Sequence, residues 1–227
     1  LLSKWIRLGS LCLVLASRAA AGDWTPIEWA GDGSLSFITS EAVSHSGDFG
    51  SAASINGYTF EYIGIASGFL AFTSPYVGSN VTVAAPSGAF SYDASAGVGG
   101  TASGNLSAGL IGFDGNVPAG SAVTYTLTGL APHTNYAFYF FSPEWEGIDR
   151  TGFLDGSDDG PGNSLAVDQS AGAGDKIIKY AYNSGASTSF TMTVTSNTQG
   201  TSLHNYGFVN IRDAIAPYTD ATDYDVW

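Results

Sequence analysis

The residues of this chain best suited to chemistry lie in one short run, Pro143-Glu144-Trp145-Glu146-Gly147-Ile148-Asp149. On an extended backbone alternate side chains share a face, so Glu144 and Glu146 would point the same way. Paired carboxylates flanking a sugar are what glycosidic cleavage requires. Pro143 and Gly147 interrupt strand pairing, so the competing reading is a solvated acidic loop. Trp145 inside the run, and Tyr139 just before it, are the ligand-binding candidates, because a flat apolar ring face can stack on a sugar. Trp24 and Trp29 offer the same chemistry near the start of the chain.

A second run, Asp155 to Asn163 (DGSDDGPGN), sets carboxylates on a Gly-rich backbone. Calcium takes roughly six to eight oxygen ligands. Asp155, Asp158, Asp159 and Asn163, with Asp149 or Asp168 nearby in sequence, are the candidate ligands, and Ca2+ is the cofactor they would hold. The spacing matches no standard calcium loop, so a plain solvated turn stands beside that reading. His45, His133 and His204 are dispersed without paired metal spacing, and His204, beside the last predicted strand, reads as a structural residue. No nucleophile elbow, phosphate-binding glycine loop or zinc signature is present. The expectation is a non-enzyme, with a glycosidase using Glu144 and Glu146 as the catalytic alternative.

The elements that must position these groups are strands. Of 227 residues, 44% are hydrophobic and only 12% charged, with 30 glycines, which suits one domain with a sizeable core. Strands are predicted at 68–73, 80–84, 89–92, 106–113, 122–127, 136–141, 176–182, 189–195 and 204–211, separated by Gly, Pro, Asn and Ser. The run SINGYTFEYIGI carries an Asn56-Gly57 pair, a strong hairpin signal. Short alternating pieces from Trp24 to Val43 read as edge strands. The small-residue run Ala94 to Asn105 reads as a mobile loop. The fold class expected is all-β, a two-sheet antiparallel β-sandwich or jelly roll, with an N-terminal hydrophobic leader helix.

Residues 1–22 read as an export signal or a retained hydrophobic segment: Lys4 and Arg7, an apolar stretch from Leu8 to Ala16, then Ala19-Ala20-Ala21. Cleavage is expected near Ala21 or Gly22. The apolar stretch is too short for a permanent membrane span, so membrane contact is expected only through the leader if it is retained. The one cysteine, Cys12, lies in that stretch. Residues 23–212 form the single β-sandwich domain, and 213–227 an acidic, aromatic tail. After residue 22 only Arg150, Lys176, Lys179 and Arg212 stand against twenty acids. Such a chain lacks the positive footprint that nucleic acid demands.

Within Tyr125 to Phe141, Leu130, Pro132 and Tyr136 form a strand-turn-strand frame in which a Tyr can reach back to the backbone and close a corner between sheets. Arg150-Thr151, then LAVDQSAGAGDKIIKYAYNSG, then TSLHNYGFVN together resemble the secreted bacterial β-sandwich domains of exosortase-sorted (PEP-C-terminal) proteins, similar to galactose-binding-like jelly rolls. The resemblance covers roughly residues 45 to 211 and implies an envelope or matrix location. The ending YTDATDYDVW departs from the Pro-rich sorting motif, apolar helix and basic tail of that family. The sequence favours an exported surface or matrix module that is structural or adhesive. Its partners would be copies of itself, through strand addition, or other surface proteins. A carbohydrate-binding module with glycan partners is the alternative.

Overall fold

The computed structural model describes residues 22–50, 53–63, 69–145, 150–158, 163–197, 199 and 203–212. The predicted leader up to Ala21 and the tail 213–227 lie outside them. In chain order the strands are β1 (Asp23–Glu28), β2 (Val43–Asp48), β3 (Ser54–Ile55), β4 (Tyr58–Thr59), β5 (Phe69–Ala71), β6 (Tyr76–Val77), β7 (Val81–Ala84) and β8 (Ala89–Ser95). A short helix, α1 (Thr101–Leu106), precedes β9 (Ala108–Phe113), β10 (Ala122–Thr128), β11 (Asn135–Ser142) and β12 (Thr151–Gly156). The last four are β13 (Leu165–Asp168), β14 (Lys176–Asn183), β15 (Ser189–Ser196) and β16 (Gly207–Arg212).

Alternation sorts these strands into layers. In β10 Val123, Tyr125 and Leu127 are buried while the intervening threonines are not, and β15 repeats the pattern with Phe190, Met192 and Val194. A six-stranded sheet of order β13-β12-β15-β10-β7-β6 results, and it packs on a five-stranded sheet of order β1-β14-β11-β16-β2. All named strand pairs are antiparallel; β3–β4, β6–β7, β8–β9 and β12–β13 are consecutive in the chain, while the central pairs of both large sheets join strands far apart in sequence. The chain is therefore an all-β antiparallel sandwich of the jelly-roll kind.

The five-stranded sheet is buried on both faces. In β11 Tyr136, Phe138 and Phe140 enter the core between the sheets, while Ala137, Tyr139 and Phe141 enter a second core on the opposite side. That second core is roofed by Trp29, Leu35, Ile38, Ile55 and Leu106, from the segment after β1, the β3–β4 hairpin and α1. Two covered faces explain why NYAFYFFS is an almost unbroken apolar run instead of an alternating one.

Four local outcomes bear on the sequence reading. Asn56 and Gly57 both take positive φ (49° and 82°) in the two-residue β3–β4 turn, as the Asn-Gly pair predicts. The corner forms too: the Ala131 amide donates to the Tyr136 hydroxyl at 2.9 Å. The stretch from Trp29 to Ala42, however, is not an edge strand. It contains a 3₁₀ turn at Asp32–Leu35 and buries Trp29, Leu35 and Ile38 against the sheet. The small-residue run is no loose loop either, because Thr101–Leu106 is helical. Asp32, distant in sequence, accepts from the amides of Thr101 (3.0 Å) and Ser103 (2.8 Å) and so caps that helix.

Candidate functional site

Of the acids nominated for glycosidic chemistry, only Glu144 is among the described residues. Glu144 lies beyond the end of β11, not on a strand, and Glu146 and Asp149 fall outside the described residues. Glu144 Oε2 accepts from the Gly174 amide at 2.7 Å, while the Glu144 amide donates to Asp175 Oδ1 at 2.8 Å. The amides of Gly172 and Gly174 hold its carboxyl below the usual carboxylate range. A glycosidic general acid needs the opposite shift, so Glu144 is a clasp on the 170–175 turn.

Beside it, the backbone of half-buried Trp145 is tied to the Gln169 carbonyl at 2.8 Å, and its ring stands edge-on to His204 at 4.8 Å. Gln169 is fully buried and organises this end of the sandwich. Its Nε2 donates to Ser142 Oγ and the His204 carbonyl, and its Oε1 accepts from the His204 amide. Burial, then the Arg150 guanidinium, pulls the His204 imidazole down to about 3, so the ring is neutral. His204 is thus the structural residue expected. Of the other nominated aromatics, Tyr139 is buried and stacked on Phe37 at 4.2 Å, so its ring face is withdrawn from any ligand. Trp29 is buried with its indole N–H on Ser103 Oγ, and Trp24 lies against Tyr180 at 4.3 Å.

The acidic loop diverges. Asp155 is exposed on the outer face of β12, whereas Asp158, three positions on, accepts from the Tyr180 hydroxyl at 2.8 Å on the inner side. The Asn163 side chain donates to the Gly22 carbonyl at 3.1 Å. Among the described residues no group of three or more His, Cys, Asp or Glu is disposed to hold a metal; Asp159 lies outside them.

A different surface is concave. Two hollows, of about 330 and 480 Å³, lie at the β5–β8 end of the molecule and share Ala71 and Phe72 in their walls. The smaller is walled by Ile63, Leu70, Tyr76, Val77 and Ser91. The Tyr76 hydroxyl donates to Glu61 Oε1 at 2.9 Å; burial, then Glu61, raises it to about 12, keeping it a neutral donor. The larger is lined by Phe90, Asp114, Ser74, Ser87 and Pro86. Asp114 Oδ1 accepts from the Asn116 amide at 2.8 Å, and Oδ2 takes no hydrogen bond among the described residues. Tyr92, 38% exposed, shares the Phe90 face of β8, since alternate strand residues point the same way. Leu70 and Val77 are exposed at the rim of the smaller hollow, at 46% and 68%.

Sequence reasoning placed strands at 68–73 and 89–92 but missed this site. The available signal was AFSYDAS, where Phe90 and Tyr92 share one side and small Ala89 and Ser91 the other. The hollow itself is built from three separate stretches, near residues 71–74, 85–90 and 114, and only folding brings them together.

No protein-family model matches the chain, and no curated protein does. Among solved structures it is similar to a CBM35 module from Cellvibrio japonicus, at 9% identity and a TM-score of 0.34, over 45% of this chain and 72% of that one. A Xyl-CBM35 in complex with a glucuronic acid-containing disaccharide gives 10% identity and 0.34 over the same shares. An exo-beta-1,3-galactanase from Phanerochaete chrysosporium gives 16% identity and 0.32, over 68% of this chain and 31% of that one. At this depth of likeness, function rests on the chain's own residues.

Proposed function

We propose that this chain is an exported, non-catalytic carbohydrate-binding module that takes a neutral saccharide on the concave surface around Phe72, Phe90 and Asp114. The observation that carries the reading is the larger hollow. Its 480 Å³ falls within the roughly 300–1,000 Å³ of small-ligand sites, and it combines aromatic walls with one carboxylate and two serine hydroxyls. Ring faces can cover the apolar C–H face of a sugar, while Asp114 Oδ2, Ser74 and Ser87 accept and donate at its hydroxyls. No Lys or Arg occurs between Gly22 and Asp149, so both hollows are walled without a cation. A uronic or sulfated glycan would meet only carboxylate there.

The structural or adhesive reading by strand addition asks for a strand that leaves its own sheet. Residues 23–28 pair along their whole length with β14 of the same chain, and 213–227 lie outside the described residues, so no observation favours that reading over glycan binding.

Titration calorimetry against neutral oligosaccharides and uronic acid-containing ones tests the proposal. Neutral ligands are expected to bind. Phe90→Ala, checked for an unchanged fold by circular dichroism, is expected to weaken binding about tenfold, the scale of about 1.4 kcal/mol typical of a truncated aromatic anchor. Absence of binding to any saccharide would overturn it.

A further inference from the structure

Gly22, at the head of β1, occupies a seat with no space for a side chain: a Cβ there would run into the Tyr180 ring. Its amide donates to the Tyr180 hydroxyl at 3.2 Å, and that hydroxyl donates in turn to Asp158 Oδ1 at 2.8 Å. Its carbonyl accepts from Asn163 Nδ2 at 3.1 Å. The seat is braced by Trp24, whose indole N–H donates to the Asn163 carbonyl at 2.7 Å and whose ring lies on Tyr180. Both polar groups of one glycine are thus held by side chains from two distant segments. Immediately before it stand Ala19-Ala20-Ala21, small residues at the two positions a signal peptidase inspects, behind a basic start and an apolar stretch.

We propose that a signal peptidase hydrolyses the Ala21–Gly22 peptide bond during export and that the new Gly22 α-ammonium docks on the Tyr180 hydroxyl beside Asp158. Water supplies the oxygen that completes the Ala21 carboxylate and the hydrogen that completes the Gly22 amine, which takes a further proton to become the ammonium. Cleavage precedes folding, so the half-buried position of Gly22 is no obstacle. Processing replaces one neutral N–H donor by three donors carrying a unit charge. The Tyr180 contact becomes charge-assisted, with a carboxylate one hydrogen bond further on. The proposal stands independently of glycan binding.

The test has two parts. The full chain is expressed in an exporting bacterial host and the first residue of the secreted product is read by mass spectrometry; Gly22 is expected. The chain starting at Gly22 is then compared with one carrying a single additional Ala21, which restores an amide at Gly22. The Gly22 form is expected to melt higher by roughly 2–4 °C, and Asp158→Asn, which keeps an acceptor for Tyr180, is expected to abolish the difference. Should that variant fail to fold, Tyr180→Phe is expected to do the same. A product that begins elsewhere or keeps the leader, equal melting of the two forms, or a difference that survives in both variants would overturn the proposal.

Discussion

Replacing Asp48 by Asn should change the shape of the stability curve against pH. Asp48 is wholly buried, and its carboxylate oxygens accept from the amides of Gly50 at 2.9 Å and Ala53 at 2.8 Å. Burial nonetheless outweighs these two bonds and lifts the carboxyl from 3.8 to about 7. The native state therefore keeps a proton that the unfolded chain releases above pH 4, so stability is fully present below that point and is lost as pH rises towards 7. At about 1.36 kcal/mol per unit, a gap of about three units corresponds to about 4 kcal/mol. His204, held down to about 3, works in the opposite direction: the unfolded chain takes up a proton below 6.5 that the native ring refuses, so stability is lost as pH falls. His45, buried with Nε2 donating to the Thr128 carbonyl at 2.8 Å, adds to that second slope.

Between pH 4 and 6.5 the two slopes oppose each other. Asp48→Asn removes one of them. Urea denaturation of both proteins from pH 4 to 8 should show the variant gaining on the wild type by about 4 kcal/mol across the range. Loss of one amide acceptor would displace the whole variant curve downwards, because Asn offers one acceptor oxygen where the carboxylate offers two, but would leave its slope unchanged. A constant difference between the two curves would refute the argument.

Two further outcomes follow from side chains whose roles emerged only in the folded chain. Asp32→Ala is expected to release the first turn of α1 and to speed amide exchange at Thr101 and Ser103, measured by hydrogen–deuterium exchange, with β10 and β15 unaffected. Calcium and then a chelator are expected to move the melting temperature by less than about 1 °C, because Asp155 is exposed on β12 while Asp158, in the turn beyond it, accepts from the Tyr180 hydroxyl. A rise of several degrees with calcium would instead support a metal site in the acidic loop.

The two-faced burial of the central sheet links fold to function. With one face on the six-stranded sheet and the other under Trp29, Leu35, Ile55 and Leu106, most large aromatics are consumed as packing. Tyr139, Trp29 and Trp24, attractive as sugar platforms when only residue type is considered, are all engaged internally. On the small β5-β8-β9 sheet Phe90 lines the larger hollow and Tyr92, on the same face of β8, is 38% exposed.

Period-two alternation in segments such as AVTYTLT and SFTMTVTS was enough to dictate strands and their inward faces, since a strand that buries one side must repeat every second residue. The Asn56-Gly57 turn and the Tyr136 corner were equally legible, because each is a local device whose backbone or hydroxyl requirement is written in adjacent residues. What lay beyond local reading depends on partners distant along the chain. A glycine- and serine-rich run became a helix because Asp32 caps it; Glu144 became a clasp because Gly174 folds back onto it. The concave surface exists because three stretches converge beside β8. Alternation states which side of a strand is buried, but long-range packing decides what covers it and where a ligand is left room.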